Sequence, residues 1–138
     1  METLEFYRSF NADKSIEELQ YNISKAISKL ENLELELDFY SDLLEKPIYK
    51  SQMLNLFERL SAFQKEVTTL EENRSQLLKD LKSHSILLKN KIKCQDLACD
   101  HFFIKAHDTM ELRVVNYQNS LSDFKFKLLT YLKSVLKN

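Results

Sequence analysis

The chain has 138 residues, with no glycine, one proline and no tryptophan; 43% of the residues are hydrophobic and 30% are charged. Lack of glycine excludes the tight hairpins and phosphate-cradling loops on which the common nucleotide and dinucleotide sites depend. The net charge of −1 hides an uneven distribution: residues 1–46 carry five basic and eleven acidic side chains, 47–95 nine and five, and 96–138 six and five.

Residues 1–14 form a leading segment in which Phe6, Tyr7 and Phe10 can pack as one helical turn. Glu2 and Glu5 make it too acidic for a transit peptide, and it has no apolar core of the secretory kind. No run approaches the roughly 18–20 apolar residues of a membrane span, so no membrane partner is expected. Two cysteines are too few for a disulfide scaffold, and a reducing, intracellular setting is expected.

Ser15 opens Ser15-Ile16-Glu17-Glu18, a capping box that starts an acidic helix over 15–46. Its stripe is Ile16, Leu19, Ile23, Ala26, Leu30, Leu33, Leu37, Tyr40 and Leu44, in unbroken alternating steps of three and four. That spacing is the seam of a left-handed coiled coil. Ile27, Leu35, Phe39 and Leu43 widen the stripe and predict a second partner on the flank, as in a bundle.

Pro47 disfavours helix at Lys46 and suits the first turn of a new helix. Both a bend in one rod and a full reversal are compatible with it. A long basic helix is expected over 47–95, about 70 Å if continuous to Lys93. Its seam runs through Met53, Leu56, Leu60, Phe63, Val67, Leu70, Leu77, Leu81 and Leu88, with Arg74, His84 and Lys91 as polar exceptions. Polar seam positions set register or partner choice at some cost in stability.

An aromatic-rich helix over 96–138 follows: Phe103, Ala106, Met110, Val114, Tyr117, Leu121, Phe124, Leu128, Tyr131 and Val135. The doubled step of four around Ala106 and Met110 predicts a local register shift. The boundary at Cys94–Asp100 is either a turn or a continuation. The expected fold is therefore all-α: two to three long helices forming an extended coiled coil or an elongated helical bundle.

Cys94, Cys99, His101 and His107 are the only metal-like group, but helical residues five apart point about 140° apart. They read as two small thiols and two surface histidines. A nucleophilic role for Cys99 with His101 or His107 lacks the concave site it needs. No catalytic residue, metal or cofactor is expected, and the chain reads as a non-enzyme. Glu31, Glu34, Glu36 and Asp38 read as a solvated face or a guide charge for a basic helix. Lys79, Lys82, Lys89, Lys91 and Lys93 form a candidate basic contact surface, and Lys125, Lys127, Lys133 and Lys137 a second cluster. With few arginines and no interleaved aromatics in the first cluster, nucleic acid is not the expected partner.

Leu33-Glu34-Leu35-Glu36-Leu37 leads into Lys46-Pro47-Ile48-Tyr49-Lys50-Ser51-Gln52, and a leucine-rich heptad helix with Glu66, Glu72, Arg74, Leu77 and Leu78 follows. Over residues 30–110 this arrangement resembles the subunit 2 family of the augmin (HAUS) complex. The chain is shorter than a vertebrate member. The resemblance implies a non-catalytic subunit of an eight-subunit assembly that binds microtubules and recruits the gamma-tubulin ring complex in the spindle. It also implies a cytoplasmic, cytoskeletal location and no catalytic residues.

Three apolar stripes with too little chain to bury them predict a hetero-oligomer with other coiled-coil subunits. The interface is expected at Leu30, Leu33, Leu37, Leu60, Phe63, Val67, Leu70, Leu121, Phe124 and Leu128. The competing reading is a self-contained antiparallel bundle acting as an adaptor or regulator, or a kinetochore-type coiled coil.

Overall fold

The computed structural model describes residue 11 and residues 13–90 and 97–137, with side chains from residue 102 onward in the last stretch. The chain is all-α. Three helices, α1 (Ile16–Glu45), α2 (Leu56–Asn90) and α3 (Leu97–Val135), make an up-down-up bundle. At 1.5 Å per residue they are about 45, 52 and 58 Å long. None is long and apolar enough to cross a membrane, among the described residues. The expected turn of Phe6, Tyr7 and Phe10 lies outside the described residues.

Antiparallel packing of α1 on α2 follows from Ser41 meeting Gln64 while Glu31 meets Lys82. α2 and α3 are antiparallel too: Phe63 packs on Phe124, and Asp80 pairs with Arg113. α1 and α3 therefore run parallel, with Asn11, just before α1, on Asp108 and Tyr40, near its end, on Phe124.

α1 starts where the capping box requires. Ser15 N donates to Glu18 Oε1 at 3.1 Å, and Glu18 N donates to Ser15 Oγ at 3.2 Å. Both otherwise orphaned amides of the first turn are satisfied. The helix ends at Glu45 because Lys46, next to Pro47, is extended (φ −75°, ψ 143°).

The chain reverses at Pro47, and the proline does not open α2 as the sequence suggested. A connection runs over residues 46–55, and α2 starts nine residues after the proline, at Leu56. Tyr49 turns inward, and its hydroxyl donates to Leu43 O at 2.7 Å. Backbone bonds then tie the connection to the far end of α3: Lys50 N to Val135 O at 2.7 Å, and Lys137 N to Ile48 O at 2.9 Å. Asn55 carries φ 59°, a left-handed conformation usually given to glycine. Its carbonyl accepts from Arg59 N and begins α2.

The helices that end at Asn90 and begin at Leu97 thus run in opposite directions. The three stripes then face each other. Leu19, Ile23, Leu30 and Leu37 on α1, Leu77, Leu81 and Leu88 on α2, and Leu121, Phe124 and Leu128 on α3 are all buried in one core. At roughly 1.5–3 kcal/mol per fully buried side chain, this burial is the main term opposing chain entropy.

Two expectations change here. Leu30, Leu37, Phe63, Val67, Leu70, Leu121, Phe124 and Leu128 are buried inside the chain, with Leu33 and Leu60 packed against them. They line the chain's own core, where the three stripes close on one another. The register shift at Ala106 also disappears. His107 is the seam residue, fully buried. With it in place of Ala106, the steps from Phe103 to Val135 alternate regularly.

Candidate functional site

The seam contains two polar layers. In the first, Arg74 of α2 is buried. All three of its guanidinium nitrogens are engaged: Nε and Nη2 donate to Glu71 at 2.8 Å each, Nη2 reaches Glu34 at 3.1 Å, and Nη1 donates to Leu30 O at 2.9 Å. The Glu71 hydrogen bonds hold its proton above the usual arginine range, against the pull of burial. Beside it, Tyr117 donates to Leu70 O at 2.9 Å, and burial pushes its phenol up to about 12. A buried charge is tolerable only with such pairing.

In the second layer, His84 of α2 meets His107 of α3, Nε2 to Nδ1 at 3.3 Å. Both rings are buried, which corrects the reading of His107 as a surface residue. Burial lowers the His84 pKa from 6.5 to about 4, with the neighbouring His107 as a smaller cause. Burial also lowers His107, against the opposing pull of Glu111 and Asp108. Glu111 Oε2 stands 3.5 Å from His107 Nε2, long for a hydrogen bond. Asn11, also buried, straps this end by donating to Asp108 at 2.7 Å and Glu111 at 2.6 Å. Two neutral imidazoles can share one proton along this contact, and a proton on both would set like charges against each other.

The remaining candidates are dispersed. Lys82 pairs with Glu31 of α1 at 3.3 Å, whereas Lys79 and Lys89 are exposed. Lys91, Lys93 and Cys94, and the side chains of Cys99 and His101, lie outside the described residues. No group of three histidine, cysteine or carboxylate side chains is placed to hold a metal ion among the described residues.

The outer faces are less polar than the stripes implied. On α1, Ile27 and Leu43 pack against the core, but Leu35 and Phe39 are 76% and 58% exposed. On α3, Leu112, Val115, Phe126 and Leu129 are at least half exposed. They lie on a second heptad row, 112, 115, 119, 122, 126, 129, interrupted by Asn119 and Ser122. This row was missed because the seam alone was traced. His107 was missed for a related reason: Ala106, one position away, is apolar and took its place.

Comparison with protein-family models, with characterised proteins and with solved structures finds no match to this chain.

Proposed function

We propose that the chain is a non-catalytic interaction module, a self-contained three-helix bundle that works as an adaptor or regulator through its outer faces. The division of its apolar residues carries this reading. The seams close internally, yet Leu35 and Phe39 on α1 and Leu112, Val115, Phe126 and Leu129 on α3 stay exposed at helical spacing. Single exposed apolar residues are ordinary, whereas rows of them mark contact surfaces.

Quantitative affinity purification tests it, comparing the wild-type chain with Leu35→Asp/Phe39→Asp and Phe126→Asp/Leu129→Asp. Bound proteins should fall away in at least one double variant while its helical content and melting temperature hold. Equal capture by all three chains would defeat the proposal.

A more specific reading makes the chain a coiled-coil subunit of an augmin-type assembly, cytoplasmic and cytoskeletal, with other coiled-coil subunits and, through them, microtubules as partners. The Pro47 to Gln52 group favours it. That group also has a local task here, since Ile48, Tyr49 and Lys50 fasten the bundle end. Stoichiometric co-purification with coiled-coil subunits and the gamma-tubulin ring complex supports this version, and their absence from a specific eluate removes it.

A further inference from the structure

The two exposed rows sit in segments of opposite charge. From Leu30 to Glu45, α1 carries Glu31, Glu34, Glu36, Asp38, Asp42 and Glu45 and no basic residue. From Phe124 to Lys137, the end of α3 and the two residues after it carry Lys125, Lys127, Lys133 and Lys137 and no acidic residue. Each segment presents a pair of large apolar side chains to solvent, Leu35 with Phe39 and Phe126 with Leu129, and Leu136 is exposed beyond the second pair. In each pair the residues are three or four apart, so they form one surface ridge.

Within one chain these segments are joined by a single ion pair, Glu36 to Lys125 at 3.1 Å. Asp38, Asp42 and Lys133 make no ion pair among the described residues. The segments stand at the same level of the bundle, because α1 and α3 run parallel and Glu36 faces Lys125. They are also matched in length, each about 20 Å at 1.5 Å per residue.

From this we infer that the partner of these faces is a second copy of the chain, with the acidic ridge of α1 docking on the basic ridge of α3. The inference rests on the interaction-module reading and names its occupant. A two-fold arrangement satisfies it twice, since each copy offers both ridges and each pairing repeats by symmetry. Apolar contact supplies affinity, and the opposite charges select α1 against α3 over like-with-like pairing.

Sedimentation equilibrium over a wide concentration range tests it, with circular dichroism as the control for folding. The wild type should reach twice the monomer mass at low ionic strength and dissociate more readily in high salt. Leu35→Asp/Phe39→Asp should weaken association by about tenfold or more. The decisive arm reverses charge. Asp38→Lys/Asp42→Lys should be monomeric, and so should Lys127→Glu/Lys133→Glu. Mixed together, these two variants should form a heterodimer, because both ridge pairings regain opposite signs. A folded wild type that stays monomeric, reversed variants that self-associate unchanged, or a mixture that remains monomeric would each overturn the inference. If the wild type is monomeric but Leu35→Asp/Phe39→Asp still loses a different bound protein, the interaction module stands and only its self-pairing falls.

Discussion

Arg74 and His84 stand in the same seam of α2, and the fold accommodates them by opposite means. Arg74 keeps its charge, because Glu71, Glu34 and the Leu30 carbonyl surround the guanidinium from two helices. His84 meets no carboxylate among the described residues but another imidazole, so burial removes its charge instead. A buried cation with strong acceptors nearby holds its proton, and one without them gives it up. The first layer should therefore be indifferent to mild acid, and the second should not.

The largest expected effect comes from emptying the first layer. Arg74→Ala should destabilise the bundle by about 3–4 kcal/mol in urea unfolding, mostly by leaving a cavity where the long side chain packs. Arg74→Met should stay within about 1 kcal/mol of wild type. The reason is that Glu34 and Glu71 are themselves 72% and 41% exposed and can return to water when the guanidinium is gone. A methionine variant as unstable as the alanine one would mean that the charge network, and not filling, holds this layer.

Acid probes the second layer. The unfolded chain protonates histidine near 6.5, whereas His84 in the bundle does so only near 4. Between those values the unfolded state binds more protons, so stability is level above about pH 6.5 and falls as pH drops toward 4. At 1.36 kcal/mol per unit the His84 contribution is about 2–3 kcal/mol across that window. Asp108, Glu111 and Lys14 bear on His107 as well. The measurement is therefore a difference, wild type against His84→Leu/His107→Leu in the same buffers. The wild type should lose more stability over this window than the double variant. Parallel pH profiles for the two chains would show that this layer is not a neutral pair.

Tyr117 supplies a neutral control within the Arg74 layer. Its hydroxyl donates to a main-chain carbonyl as one Arg74 nitrogen does, but it carries no charge below about pH 12. Tyr117→Phe should cost about 1 kcal/mol by leaving the Leu70 carbonyl without this donor. The cost should be the same at pH 5 and pH 8, which calorimetry at the two values can check.

The helical stripes and the start of α1 were legible in the sequence because each is local: a seam repeats every three or four residues, and a capping box spans four. Direction was not. Pro47 forbids helix at Lys46 but says nothing of where the chain goes next. The reversal depends on Tyr49 reaching Leu43 and on Lys50 and Lys137 finding partners some 90 residues away. That the stripes pair within the chain was not legible for the same reason. Three stripes seen one at a time look unpaired, and only the reversals show that they pair with each other. His107 was hidden because an apolar neighbour, Ala106, fills the same place in the pattern one position away. The contact with His84 on the facing helix is what gives His107 its seam position, and that contact is not local in sequence.

The smallest effect, that of Asn55→Gly, concerns the missing glycines. A chain without glycine still needs a residue with positive φ where the long connection enters α2, and Asn55 takes it at 59°. Asparagine tolerates this region better than other residues with a Cβ, because its short polar side chain bonds locally. Asn55→Gly removes the remaining strain but adds freedom to the unfolded chain, so the two terms oppose and the net change should stay within about 0.5 kcal/mol. Asn55→Val removes the tolerance without adding any freedom and should cost about 1–2 kcal/mol. Because Asn55 also presents the first carbonyl of α2 to Arg59, the valine variant should speed amide exchange in the first turn of that helix before it affects the histidine layer at the other end. If glycine raises stability by much more than this, the left-handed residue is a real weakness of the fold. If valine costs nothing, the connection has a second conformation that needs no positive φ.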